Sequence, residues 1–280
     1  MKNKTVLVVL GIDSHLPRIK KCISTLEAVY DDHQGLDIAI ATYGPKALPP
    51  SKKLKVYCAD KGFYYYDAER QHYFKRDKKL EFYPHPTHEL TANLGMSKHF
   101  YDMGYEEVYL LHNDMLIVRD FLPIFRSMQK GDWSVVAPTL VKEEEKTYTT
   151  LEAIKSVPPL KRTRELMKVR VTQTVLTFNK NLVNKIFDKY KNEETMYKKY
   201  LYKYSSYGDF ALVQLFDNFL GFEVSVIPPD ITTAIDLSWT WCTKERILQE
   251  KNITHLHGES VINKFGSQIF DLIEKTNNEE

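Results

Sequence analysis

Short apolar runs alternate with segments of helical periodicity, and this alternation restricts the fold more than any other feature. Thr5–Leu10 is apolar from Val6 onward and stops at Gly11-Ile12-Asp13-Ser14. A bilayer span needs about 20 apolar residues, and no small-residue cleavage site follows this run. It reads as a buried strand ending in a turn. Pro17 stands where a helix begins, and Ile19, Cys22, Ile23, Leu26 and Val29 recur at helical spacing. Residues 36–41 read as a second strand, closed by Tyr43-Gly44-Pro45, and residues 54–59 as a third. Strand, helix and strand joined by short turns begin a mostly parallel α/β sheet.

The pattern continues along the chain. Residues 62–83, dense in Tyr, Lys, Arg and Asp, read as a long surface excursion. Residues 88–105 form a helix with Gly104 as its stop. Residues 107–111 are a buried strand running into His112-Asn113-Asp114 and then Met115-Leu116-Ile117-Val118. Residues 133–137 and 170–178 are strands, 181–204 one or two charged amphipathic helices, 209–220 a helix, and 223–227 a short strand before Pro228-Pro229. The chain after Gln268 is helical, then polar. Residues 142–168, charged and broken by Pro158-Pro159, read as a lid or ordered insertion. With no internal repeat and no low-complexity linker, one domain over 1–280 is expected.

Composition removes several classes. Lys and Arg number 39 against 37 Asp and Glu, a net charge of +2, which argues against a nucleic-acid partner. Three cysteines without a Cys-x-x-Cys pair make neither a disulfide framework nor a thiolate zinc site. Reduced thiols suit a cytoplasmic protein, with peripheral contact to a membrane through basic or aromatic patches left open. Eighteen tyrosines and 14 phenylalanines supply faces on which sugar rings pack, or simply a tyrosine-rich surface.

The segment from Val108 to Phe121 carries the chemistry. Asp114 stands at the end of a buried strand, between two apolar runs. Ligands of open α/β sheets collect at the carboxyl ends of strands, and a poorly hydrated carboxylate there suits Mg²⁺ or Mn²⁺, which favour oxygen ligands. The other reading is a turn carboxylate capping local amides.

His112-Asn113-Asp114 resembles the Asp-x-Asp motif of GT-A glycosyltransferases, in the form found in the glycogenin and bacterial galactosyltransferase group. The resemblance implies a GT-A type, Rossmann-like α/β sandwich with a central, mostly parallel mixed sheet flanked by helices. It also implies transfer of a sugar from a nucleotide-sugar donor, with UDP the commonest base, to a glycan or lipid-linked acceptor, with residues 1–120 the nucleotide-binding half and 121–280 the acceptor-side half. Asp114 falls on the second Asp, which binds the Mn²⁺ or Mg²⁺ that bridges the diphosphate. His112 replaces the first, to bond the ribose or ligate the ion through nitrogen, and Asn113 lies between them against the nucleotide.

His255-Leu256-His257-Gly258, followed by Lys264, resembles the group's carboxy-terminal His-x-x-Gly-x-x-Lys stretch. It implies His257 as the second protein ligand, with His255 the alternative, and Gly258 and Lys264 at the diphosphate. The spacing to Lys264 departs from the pattern. Asp209, in Gly208-Asp209 at a helix start, resembles the place of the catalytic base of inverting enzymes or the acceptor-binding Asp of retaining ones; the plain reading is an N-cap. Asp13 falls where the nucleoside is gripped, Asn93 is a further nucleotide contact, and Gln173 and Thr174 face the donor sugar.

Three competing readings stand beside this one. A sugar-nucleotide nucleotidyltransferase wants a Gly-rich loop after the first strand, and Gly11-Ile12-Asp13-Ser14-His15 has one Gly. An inactive, glycosyltransferase-like binding module draws on the His at position 112. A metal-dependent sugar-nucleotide hydrolase transfers to water.

Overall fold

A computed structural model describes residues 4–30, 35–42, 51–67, 86–129, 135–141, 169–171, 175–190, 224–227, 234–235, 244–249, 254–257, 265–269, 271–272 and 275. The central strand is β1 (Thr5–Leu10), with every residue buried. Burial on both faces is what its continuous apolar run dictates. Parallel to it lie β2 (Leu36–Thr42) on one side and β4 (Glu107–His112) on the other. β3 (Tyr64–Asp67) extends the sheet beyond β2, again in parallel.

Past β4 the sheet turns antiparallel through β8 (Val175–Phe178) and β6 (Val135–Val141) to β7 (Val169–Val171), and β9 (Val224–Ile227) pairs parallel with β6. The order is β3-β2-β1-β4-β8-β6-β7. A second sheet joins β10 (Ala234–Ile235), β11 (His255–His257) and β5 (Met115–Ile117) in that order. The architecture is α/β, a mixed, mostly parallel central sheet flanked by helices.

Helices α1 (Leu16–Val29), α2 (Lys52–Lys61), α3 (Pro86–Asp102), α4 (Leu122–Met128), α5 (Lys180–Tyr190) and α6 (Lys244–Gln249) flank the sheets, and one turn of 3-10 helix (Asp13–His15) leads from β1 into α1. The stripe Ile19, Cys22, Ile23 and Leu26 of α1 is buried. It packs in a core with Leu7, Val9, Ile38, Ile40 and the edge-to-face rings of Tyr109, Phe121 and Phe125. Gly104, at φ 98°, ends α3 in the left-handed conformation that its glycine permits.

Two expectations are corrected. Residues 54–59 are not a strand but the middle of α2. Leu54 and Cys58, four apart, are buried on one side while Val56 between them is 61% exposed. A strand alternates its faces, so Leu54, Val56 and Cys58 would have shared one. The third strand is instead β3, inside the stretch read as a surface excursion. Its Tyr66 stacks on His99 of α3 with ring centroids 3.8 Å apart, and Tyr64 meets the same imidazole through a 3.1 Å hydrogen bond. The strand expected over 170–178 is described as β7 and β8.

Candidate functional site

The pairing registers set Leu10 opposite both Ala41 and His112, so β1, β2 and β4 end level. The sheet order departs from β1 in both directions, to β2 and to β4. This is a topological switch point, where open α/β sheets bind ligands. The turn His112-Asn113-Asp114 lies on this edge, between β4 and β5.

Asn113 ties the turn across the switch point. Its Nδ2 donates to the Leu10 carbonyl at 2.6 Å and lies 3.2 Å from His15 Nδ1. A carbonyl only accepts, so the first contact fixes which end of the amide is nitrogen. The second hydrogen then meets an unprotonated His15 Nδ1, with the ring proton on Nε2. Gly11 makes room for this approach, since a Cβ there would stand 2.5 Å from Ile19 Cδ1 and 3.3 Å from Asn113 Nδ2. From below, Thr25 Oγ1 accepts the Ile117 amide at 3.0 Å and anchors β5 to α1.

Asp114 is 19% exposed, and its Oδ1, shielded from solvent, lies 3.7 Å from Nδ1 of His112. Burial first, and then the Asp114 carboxylate, push the Cys22 thiol far up. That thiol is therefore an inert neighbour rather than a nucleophile. Two ligands about 2.1 Å from one ion lie at most about 4.2 Å apart, so the His112–Asp114 spacing fits a shared cation. β11 runs antiparallel to β5 with His257 opposite Met115, one residue past Asp114. His255 is wholly buried, 3.0 Å from Thr254 Oγ1 through Nδ1, and burial pushes it down to about 4. It is a neutral core imidazole. Among the described residues, no group of three or more His, Cys, Asp or Glu side chains is placed to hold an ion.

The remaining predicted residues divide. Asp13 accepts the backbone amides of Lys53 and Leu54, both at 3.2 Å, and so caps α2. Asn93 lies in α3 with its side chain wholly buried. Asp209, Gln173, Thr174, Gly258 and Lys264 lie outside the described residues. Lys98 pairs with Asp102 near the end of α3 that leads back to the start of β4, away from the turn. His15 was missed as a site residue. Its only sequence signal was its place five residues past the end of β1.

No protein family and no curated protein matches the sequence. Solved structures do. The galactosyltransferase LgtC, in complex with donor and acceptor sugar analogs, superposes with a TM-score of 0.54 at 12% identity, covering 97% of this chain and 95% of its own. Mouse xyloside xylosyltransferase 1 gives 0.50 at 9%, covering 92% and 98%. The glycosyltransferase GlyE of Streptococcus pneumoniae gives 0.52 at 12%, covering 98% of this chain and 60% of that one. The chain has the GT-A glycosyltransferase fold. In this GT-A sheet the His112-Asn113-Asp114 turn ends a central strand at the switch point, and β5 behind it carries the small second sheet. Among the described residues, no helix of this GT-A chain is long and apolar enough to cross a membrane.

Proposed function

We propose that the chain is a metal-dependent glycosyltransferase that moves a hexosyl group from a UDP-sugar to a hydroxyl of a glycan or lipid-linked acceptor. One observation carries the reading. Asp114, a largely buried carboxylate with its Oδ1 shielded from solvent, stands at the switch-point edge of a sheet whose fold is shared with glycosyltransferases, with β11 paired directly behind it.

Asp114 and His257 would hold Mn²⁺ or Mg²⁺, with His112 at the ion or the ribose. When bound, such an ion stabilises the negative charge that develops on the departing diphosphate. Asn113 keeps the turn in place, so that Asp114 does not have to be ordered when the donor arrives. Lys264 and Gly258 would contact the diphosphate, Gln173 and Thr174 the donor sugar, and Asp13, through its remaining lone pairs, the nucleoside. In the reaction, the acceptor oxygen bonds to the anomeric carbon, the bond from that carbon to the phosphate oxygen breaks, and nucleoside diphosphate leaves. Asp209 takes the acceptor proton in an inverting reaction. Asn93, being wholly buried, would act at the nucleotide only through the packing of α3.

A second reading, an inactive binding module, is favoured by one observation, the His at position 112 in place of a carboxylate. Release of nucleoside diphosphate from a panel of nucleotide-sugars, with and without Mn²⁺, separates the two. A transferase releases diphosphate faster when an acceptor is added, and Asp114→Asn abolishes the release. Binding without release in every condition would leave only the binding module.

A further inference from the structure

Helices α1 and α2 meet in an open groove of about 360 Å³, with half-buried Leu16 and Tyr57 inside it and Lys20, Lys52 and Lys53 around it. Asp60 is its one acidic member. Val56, on the same face, is 61% exposed. Lys20 lies over the Tyr57 ring at 5.3 Å and Lys55 over the Tyr65 ring at 5.5 Å. Among the described residues, no carboxylate is within ion-pair distance of Lys20, Lys52, Lys53 or Lys55. Among the described residues, the sole ion pair made by α2 is at its far end, Lys61 with Glu27.

A basic helix face with an exposed apolar side chain at its centre has the chemistry of a membrane-surface contact. We propose that this α1–α2 face docks on an anionic membrane surface, with the four lysines against lipid phosphates and Val56 entering the interfacial layer. Charge complementarity favours an anionic surface, and Val56 favours lipid over nucleic acid. A nucleic acid would want open aromatic faces for its bases, and the Tyr57 ring has Lys20 over it. Location adds a consequence. Because Asp13, just after β1, caps α2, Lys52 and Lys53 begin at the same sheet edge as the His112-Asn113-Asp114 turn. Docking there brings that edge to the bilayer. This consequence rests on the proposed transferase reading only if the acceptor is lipid-linked; the docking itself does not depend on it.

The test is co-sedimentation of the full chain with vesicles of phosphatidylglycerol and phosphatidylcholine, or of phosphatidylcholine alone, at low and high salt. The protein should bind the anionic vesicles, ignore the neutral ones and come off at high salt, where exposed charges are screened. Each lysine near such a surface contributes about fivefold in affinity, so Lys52→Glu with Lys53→Glu should weaken binding more than about tenfold. Val56→Asp should weaken it severalfold. Lys185→Glu, exposed on α5, should leave it unchanged, with all variants melting at the wild-type temperature. The proposal is overturned if the wild type ignores anionic vesicles or binds a single-stranded RNA in their place. It is overturned equally if the groove variants bind as the wild type does, or lose no more than Lys185→Glu.

Discussion

Asn113 sits between the two residues that the motif singles out, and its work is the least visible in the sequence. Its amide reaches a carbonyl 103 residues away, on the neighbouring strand. Asn113→Asp is close to isosteric, yet it sets a carboxylate oxygen 2.6 Å from the Leu10 carbonyl in place of a donor. The expected cost is about 1–3 kcal/mol, larger than for Asn113→Ala, which removes the bond without adding repulsion. Urea denaturation ranks the two variants, and an Asp variant as stable as wild type would mean that the tether is not made. The place of Asp114, in the turn between β4 and β5, was legible because a carboxylate between two apolar runs stands out. That Asn113 holds the turn was not, since its partners are Leu10 and His15, brought near only by the pairing of β1 with β4.

Element identity failed at residues 54–59 for a physical reason. Leu-Lys-Val-Tyr-Cys over 54–58 alternates loosely, as a half-buried strand does, and the feature that starts α2 lies elsewhere in the chain. Asp13, 40 residues before Lys53, accepts the first free amides of the helix with both carboxylate oxygens. A cap supplied from another segment leaves no trace next to the helix it caps. Asp13→Ala should therefore cost about 1 kcal/mol and loosen α2, even though residue 13 is outside that helix. Asp13→Asn, which keeps one oxygen acceptor, should cost less. Amide hydrogen exchange at Lys53 and Leu54 checks this, and unchanged protection in the Ala variant would contradict the capping role. β1, α1, β4 and the stop at Gly104 were legible because their periodicity and punctuation are local. β3 was not, because its four residues gain meaning only against β2 and His99.

The sheet has two unlike edges. At the amino edge, Arg126 of α4 bonds Glu107 at 2.6 Å and Thr5 at 3.2 Å, clasping the first residues of β4 and β1. Burial raises the Glu107 carboxyl, but the bonds from Arg126 and Thr5 outweigh it and hold the group below its ordinary value. A lowered carboxylate stabilises the fold above the unfolded-state value, about pH 4.3, and loses that contribution as pH falls through the lower folded value. With Arg126 half exposed, the contribution is about 0.5–1 kcal/mol. Melting temperature followed from neutral to acid pH should fall less steeply in Glu107→Gln, and an identical slope would rule the clasp out. The carboxyl edge carries the proposed site. Its half built from β4 and the His112-Asn113-Asp114 turn was readable from one stretch of sequence. The half built from β11 depends on pairing Leu256 with Leu116 across 140 residues, which no local pattern encodes. The account stands or falls on Asp114. Melting of the wild type and Asp114→Asn with UDP, GDP or CMP, each with and without Mn²⁺, tests it directly, because a ligand that binds only the folded chain raises the melting temperature. The account predicts a rise for one nucleotide, UDP, only when Mn²⁺ is present, and its loss in Asp114→Asn. A rise that needs no metal and survives the substitution, or no rise with any nucleotide, would contradict it.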